Sequence, residues 1–311
     1  MKIMKKNILA ETPDTRITKI DVHAPLIARK ARAGQFVVLM VKEEGERIPL
    51  TVVGTDRKTG CITLIFQELG LTTKLLGKLN TGDSLYALMG PLGNATEVRK
   101  FGKVILIGGG VGIAEIYPVA KAMKEAGNHV VTIIGARTKS LLILEAELKA
   151  VSDELHAATD DGSYGRKGFT TDILKGLLSL RGGANGADEA ISSDEIASVA
   201  TAGLSRNDKI SLVYAVGPIP MMRLVSSITW NFRVKTLASL NALMVDATGM
   251  CGSCRVSVNN EVKFSCVDGP EFDGHLVNWE ELESRSRIYC DKEKHVCKLN
   301  EATTYGGCKP A

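Results

Sequence analysis

The sequence predicts an α/β plus all-β architecture in three parts: a small β-barrel or sandwich, a doubly wound parallel sheet, and a small cysteine-bearing module at the C-terminus. Three observations carry this prediction. Short apolar runs punctuated by glycine fill residues 7 to 97; at about Lys100 the pattern changes to strand, glycine turn and helix; and six of the seven cysteines lie beyond residue 250. A chain of 311 residues, 44% hydrophobic and 24% charged, is long enough for two or three domains with buried cores and has no compositional sign of disorder.

The amino terminus MKIMKKNILA is basic and partly apolar but runs at once into ETPDTRITK, without the apolar stretch and small-residue cleavage site of a signal peptide. No segment reaches the roughly 20 apolar residues that span a bilayer, so a reducing cytoplasm is expected. From residue 1 to 98 the strands are the alternating TRITKIDV, then QFVVLMV, PLTVVG, CITLIFQ and DSLYALMG, separated by Gly34, Gly60, Gly82 and Gly90. Many short strands at this spacing read as a barrel or sandwich. From 99 to 228 the apolar run Lys103 to Ile107 meets Gly108, Gly109, Gly110, Val111 and Gly112, followed by helical spacing through Ile116, Val119, Ala120 and Met123. HVVTIIGA reads as a strand, LLILEAELKAV as a helix, ELHAATDD as a strand, Thr170 to Leu178 as a helix, and ISLVYAVG as a strand ending at Gly217 and Pro218. Strands alternating with helices imply a parallel sheet. A glycine-, alanine- and serine-rich stretch at about 180–209 reads as a surface insertion. Residues 229–285 hold the main cysteine group, and 286–311 form a tail. The net charge of +4 forms no stripe, which speaks against nucleic acid as a partner.

Three sets of residues carry chemistry. Gly108 to Gly112 precede a helix whose amino end favours an anion such as a dinucleotide phosphate. The spacing G-x-G-x-x-G is broken by Ile113, and Ala136 and Arg137 stand where a ribose-binding carboxylate is expected, so a tight structural turn is the competing reading. In the barrel, Arg47 to Thr51, Gln67 to Thr73 and Met89 to Gly93 offer arginine, hydroxyl and glycine suited to a phosphate and a flat ring; each alone also reads as a strand end or turn. The strongest signal is Asp246, Cys251, Cys254 and Cys266. A plant-type [2Fe-2S] run reads C-x4-C-x2-C with a distant fourth cysteine, and here Asp246 takes the first position. Zinc bound by the three cysteines with His275 or Cys290, or a C-x2-C redox pair, are the alternatives.

The order of these parts is that of the ferredoxin reductase superfamily. More narrowly, RIPLT, MGPLGN, ILIGGGVGIA, IIGARTKSLLILEAEL, TDDGSYGRKGFTTDIL, VYAVGPIPMM, SLNALMVDATGMCGSCRVSV and VKFSCVDGPEFDGH resemble the electron-transfer subunits of dihydroorotate dehydrogenase and of NADH-dependent reduced ferredoxin:NADP+ oxidoreductase, also known as sulfide dehydrogenase beta subunits. The resemblance runs from about residue 3 to 285. It implies a ferredoxin-reductase-like flavin β-barrel, a nucleotide domain and a [2Fe-2S] domain. Asp246 favours the second family, whose cluster has one Asp and three Cys ligands, over the first, whose first ligand is a cysteine.

Carried over by position, Arg47, Pro49, Leu50, Thr51, Ile65, Phe66, Gln67, Thr72 and Thr73 are the implied FAD contacts, with Thr51 at the isoalloxazine edge. Arg47 stands one residue earlier than the arginine of many relatives. Gly110, Val111, Gly112, Arg137, Asp160, Gly217 and Pro218 are the implied NAD(H) contacts; Arg137 could equally serve a 2′-phosphate. Where relatives often carry a proline after GGGVGIA, this chain has Glu115. Asp246, Cys251, Cys254 and Cys266 are the implied metal ligands. The implied function is electron transfer between NAD(H), FAD and the cluster with no catalytic side chain, as the NAD-facing arm of an electron-bifurcating complex. A larger flavin and iron-sulfur subunit would oxidise NADPH and reduce ferredoxin. The alternatives are the dihydroorotate dehydrogenase subunit and, distantly, a non-catalytic zinc module. Cys290, Cys297 and Cys308, with His295, read as reduced thiols of the tail rather than a second metal site. Trp230 and Trp279 read as packing or interface residues.

Overall fold

The first six strands lie antiparallel in a computed structural model that describes residues 1–179, 209–289, 292, 293, 295 and 296. The expected insertion, apart from Lys209, and Cys290, Cys297 and Cys308 lie outside the described residues. The strands are β1 (Ile3–Thr12), β2 (Thr15–His23), β3 (Phe36–Met40), β4 (Ile48–Asp56), β5 (Cys61–Gln67) and β6 (Ala87–Leu92), in the order β1-β2-β5-β4-β3-β6. A bridge between Lys2 and Ser84 brings the start of β1 round to the segment that leads into β6, closing the barrel. The Ile3 amide adds a hydrogen bond to the Asp83 carbonyl at 2.8 Å. Alternation decides which face is inside: Ile20, Val22, Ile62, Leu64, Val37 and Leu39 are fully buried. Two short helices, α1 (Pro25–Lys30) and α2 (Leu71–Lys78), interrupt the strands and have no counterpart in the strand pattern. Pro25 starts α1, where its missing N–H is no loss. The amino-terminal segment is itself β1, paired along its length with β2.

The second sheet contains β7 (Lys103–Gly109), β8 (His129–Ala136), β9 (Glu154–Thr159), β10 (Arg166–Lys167), β11 (Ile210–Val216) and β12 (Thr236–Ser239), all parallel. Beyond β12 come a hairpin of β13 (Arg255–Val258) and β14 (Glu261–Phe264), then β15 (Glu271–Asp273), which adds antiparallel to β12. The order is β10-β9-β8-β7-β11-β12-β15. Helices α3 (Gly112–Glu125), α4 (Glu145–Val151), α5 (Thr170–Ser179) and α6 (Ile219–Asn231) connect it, and α7 (Trp279–Ser286) follows β15. Every residue of β7 is buried, which explains its unbroken apolar run: helices cover both faces of the sheet. Even Lys103 is buried, its ammonium held 3.0 Å from Glu154.

Two segments depart from the sequence reading. LLILEAELKAV becomes helical only from Glu145; Lys139–Leu141 is a single 3-10 turn, and Leu144 sits at φ +54° while Leu141 and Ile143 turn into the core. Helix α6 runs through position 228/229, where the sequence places a domain boundary, and β12 and β15 carry the sheet beyond it. One core therefore runs from Ile105 and Val131 through Val225 and Ile228 to Cys254, Cys266 and Trp279. No helix among the described residues is long and apolar enough to cross a membrane.

Candidate functional site

Between β12 and β13 the chain makes an irregular loop that carries Asp246, Cys251 and Cys254, and Cys266 follows β14. Ala247, Gly249 and Gly252 all have positive φ, so the loop coils tightly enough to turn its own amides inward. Cys254 and Cys266 are buried with their sulfurs 3.2 Å apart. Burial, then the neighbouring Cys254, pushes the Cys266 thiol up to about 12. Cys251 is exposed; the Ser253 hydroxyl, 3.0 Å from its sulfur, lowers its pKa. The Asp246 carboxylate accepts from the Thr248 and Cys251 amides, each at 3.0 Å, and the Thr248 bond leads in holding it below the usual carboxylate range. The four predicted ligands thus form two pairs, Cys254 with Cys266 and Asp246 with Cys251. Among the described residues no three acidic, cysteine or histidine side chains converge on one point. Local hydrogen bonding explains the pairing, since the loop amides hold the carboxylate beside Cys251. His275 lies elsewhere, 2.9 Å from the Thr229 hydroxyl and edge-on to Trp230.

The second cleft lies at the carboxyl ends of the parallel strands. The chain proceeds from β7 to β8 and β9 on one side and from β11 to β12 on the other, so the order reverses between β7 and β11. Open α/β sheets bind ligands at such a switch point. Gly110, Val111 and Gly112 leave β7 there and Gly217 and Pro218 leave β11. Close approach requires glycine at position 112, where a Cβ would stand 2.5 Å from the Val216 carbonyl oxygen; one on Gly109 would stand 2.6 Å from the Met221 sulfur, which a flexible side chain can move. Arg137 and Asp160 follow β8 and β9 on the same edge. Arg137 donates to the Thr15 hydroxyl at 2.7 Å, tying this edge to the barrel, and Asp160 is exposed.

On the barrel side, Pro49, Leu50 and Thr51 lie on β4 opposite β3, all partly buried, and Arg47 just before them is exposed. Ile65 and Phe66 are buried on β5, whereas Gln67 at its end is partly open. Thr72 donates to Glu46 at 2.6 Å, and the Thr73 hydroxyl accepts the Leu69 and Gly70 amides at 3.0 Å, fixing the start of α2. Thr51 reaches across to the next domain: its hydroxyl donates to Glu115 of α3 at 2.9 Å. Nearby, Tyr214 of β11 donates to Glu271 of β15 at 2.8 Å, and Thr96 donates to the same oxygen. Burial pushes Glu115 and Glu271 up and Tyr214 well above their ordinary values.

Residues 241–278 match the model of the iron-sulfur cluster binding domain of dihydroorotate dehydrogenase B. Over 293 residues the chain is 42% identical to the dihydroorotate dehydrogenase B (NAD(+)) electron transfer subunit homolog of Thermotoga maritima, covering 94% of this chain and 93% of that protein. The chain belongs to this electron-transfer subunit family. A solved NADH-dependent reduced ferredoxin-NADP oxidoreductase chain is similar over 96% of both chains, with 42% identity and a TM-score of 0.81. Ferredoxin-NADP+ reductase from Plasmodium falciparum, 14% identical over 75% of this chain and 92% of its own, with a TM-score of 0.54, shares the fold.

As a member of the electron-transfer subunit family, the chain is a component of a heteromeric flavin and iron-sulfur oxidoreductase. Its residues fit a cluster in their chemistry. Three sulfurs and one carboxylate sit in and beside a loop whose amides already point at them, including that of Gly249 at the Cys266 sulfur. The buried Cys266 thiol keeps its proton until a cation replaces it, which is the usual coupling of metal binding to proton release. The sequence singles out Thr51 and notes Glu115, but not their pairing. It misses Tyr214, Glu271 and Thr96 altogether, because a tyrosine inside an apolar strand carries no signal of a polar partner 57 residues away.

Proposed function

We propose that this chain is the NAD(H)-facing arm of an electron-bifurcating NADH-dependent ferredoxin:NADP+ oxidoreductase. The supporting observation is convergence. The hydrogen bond from Thr51 to Glu115 joins the proposed flavin strand to the helix that opens the nucleotide crevice, and the cysteine loop leaves the parallel sheet at β12. In this reading Arg47, Pro49, Leu50, Thr51, Ile65, Phe66, Gln67, Thr72 and Thr73 hold FAD. Gly110, Val111, Gly112, Arg137, Asp160, Gly217 and Pro218 hold NAD(H), and Asp246, Cys251, Cys254 and Cys266 hold a [2Fe-2S] cluster. Bound there, FAD would supply two-electron exchange with the nicotinamide and one-electron exchange with the cluster. The protein's part is to orient: the glycines admit a phosphate to the backbone, Thr51 offers a hydroxyl to the ring edge, and the barrel wall excludes water. A larger flavin and iron-sulfur subunit would oxidise NADPH, reduce ferredoxin and deliver the remaining electron to the cluster that Asp246, Cys251, Cys254 and Cys266 would hold. The proposed setting is a reducing cytoplasm, where unpaired thiols persist.

The test is anoxic purification of the full chain from its native cells. It should be coloured, carry one flavin and about two irons, have its flavin bleached by NADH in preference to NADPH, and co-purify with an NADPH-oxidising subunit. A colourless, zinc-loaded protein overturns the proposal. A dihydroorotate-oxidising partner would select the second reading, which the match to the dihydroorotate dehydrogenase B domain favours and Asp246 disfavours.

A further inference from the structure

We propose that Glu115 is the proton donor and acceptor for the reducible edge of the flavin, acting through the Thr51 hydroxyl. The inference rests on the placement of Thr51 at that edge proposed above. What carries it is geometry: the Thr51 oxygen lies 2.9 Å from a Glu115 carboxyl oxygen, across the junction between β4 and α3. Thr51 is the one side chain of the Pro49 to Thr51 strand with an exchangeable hydrogen. Glu115 occupies the start of α3, one turn from Gly112, so it faces the flavin strand and the nucleotide crevice together.

Glu115 holds a proton more tightly than an exposed glutamate. Burial raises its pKa, and among the described residues Thr51, which opposes that shift, is the only hydrogen-bonding side chain acting on it. The other titratable group coupled to it is the buried Tyr214 of β11, and behind that stands Glu271 of β15; both are neutral or hold their protons more tightly than usual, and no basic side chain acts on Glu115. Glu115 is only partly buried, so water can restore its proton.

The need for such a group is asymmetric. A hydride from a nicotinamide brings its own hydrogen nucleus to the flavin, whereas two electrons from a cluster bring none. In the second case a proton must come from the protein. The Glu115 carboxyl O–H bond breaks as its proton passes to the Thr51 oxygen, and the Thr51 O–H bond breaks as its own proton passes to the ring nitrogen. Glu115 is left as a carboxylate that accepts from Thr51 and recovers one proton from water. One proton is moved for each electron pair delivered, and the electrons come from the cluster.

The test uses the flavin- and iron-loaded full chain. Thr51→Val should shift the visible flavin spectrum while FAD stays bound; an unchanged spectrum, or a chain without flavin, defeats the placement of Thr51 rather than the relay. Given that shift, Glu115→Gln should slow flavin reduction through the cluster at least ~10-fold more than reduction by NADH, within the range general acid catalysis supplies, and Glu115→Asp should restore part of it. Time-resolved infrared spectra should show a protonated carboxyl band that is lost transiently on cluster-side reduction, returns as water restores the proton, and is missing in Glu115→Gln. Equal slowing from both sides, or no such band in the unmodified protein, overturns the proposal.

Discussion

Gly112 has no room for a side chain, because a Cβ would stand 2.5 Å from the Val216 carbonyl oxygen at the start of α3. Gly112→Ala must push helix and strand apart, which should destabilise the protein by about 1–3 kcal/mol and weaken NADH binding; thermal unfolding and a nucleotide titration measure the two. Glu271 makes a different prediction. Burial raises its folded pKa above the unfolded value, with hydrogen bonds from Thr96 and Tyr214 only partly opposing it. Its contribution to stability is therefore complete below the ordinary glutamate pKa of about 4.3 and is lost as pH rises through the folded value. Glu271→Gln keeps an acceptor for Tyr214 without a proton to lose, so it should be more stable than the parent at pH 8 and show no such gain at pH 4 in urea titrations. At this scale the sequence shows the ligand types and the glycine run clearly. It shows Glu115 only as a departure from a proline, because its meaning depends on Thr51, 64 residues earlier.

At the scale of elements, periodicity locates β5, β8, β11 and α5 closely, since each is a continuous apolar pattern with one environment along its length. It is silent on α1 and α2, which are too short to complete an amphipathic repeat, and it overextends α4 because Leu141 and Ile143 are core residues without being helical. Helix α7 is the brace of the cysteine loop. Asn278 caps it by accepting the Glu281 amide at 3.1 Å, and Arg285 in its last turn donates to the Ser253 carbonyl at 3.0 Å. Asn278→Ala should lower stability by about 1 kcal/mol. Arg285→Ala should leave the fold intact and hasten iron loss to a chelator, because the carbonyl it holds lies between Cys251 and Cys254.

At the scale of the molecule, the cysteine loop presents Met250, 87% exposed, with Val245 and Leu243 also open beside the predicted ligands. If this apolar rim meets the larger subunit of the proposed complex, Met250→Asp should weaken co-purification at least ~10-fold, the equivalent of about 1.4 kcal/mol, while flavin and iron contents stay constant. The three-part plan is visible in the sequence because each part has its own composition and spacing. The shared core is not visible, since β12 and β15 come from one side of an expected boundary and complete a sheet begun on the other. That return has a further meaning. The excursion that carries the cysteines departs after Ser239 and comes back at Glu271, and these two residues are directly paired. Its ends are therefore neighbours, as in a graft that a host accepts without rerouting its own chain. A lineage could acquire, lose or exchange its metal at this edge while the flavin and nucleotide sites kept their scaffold.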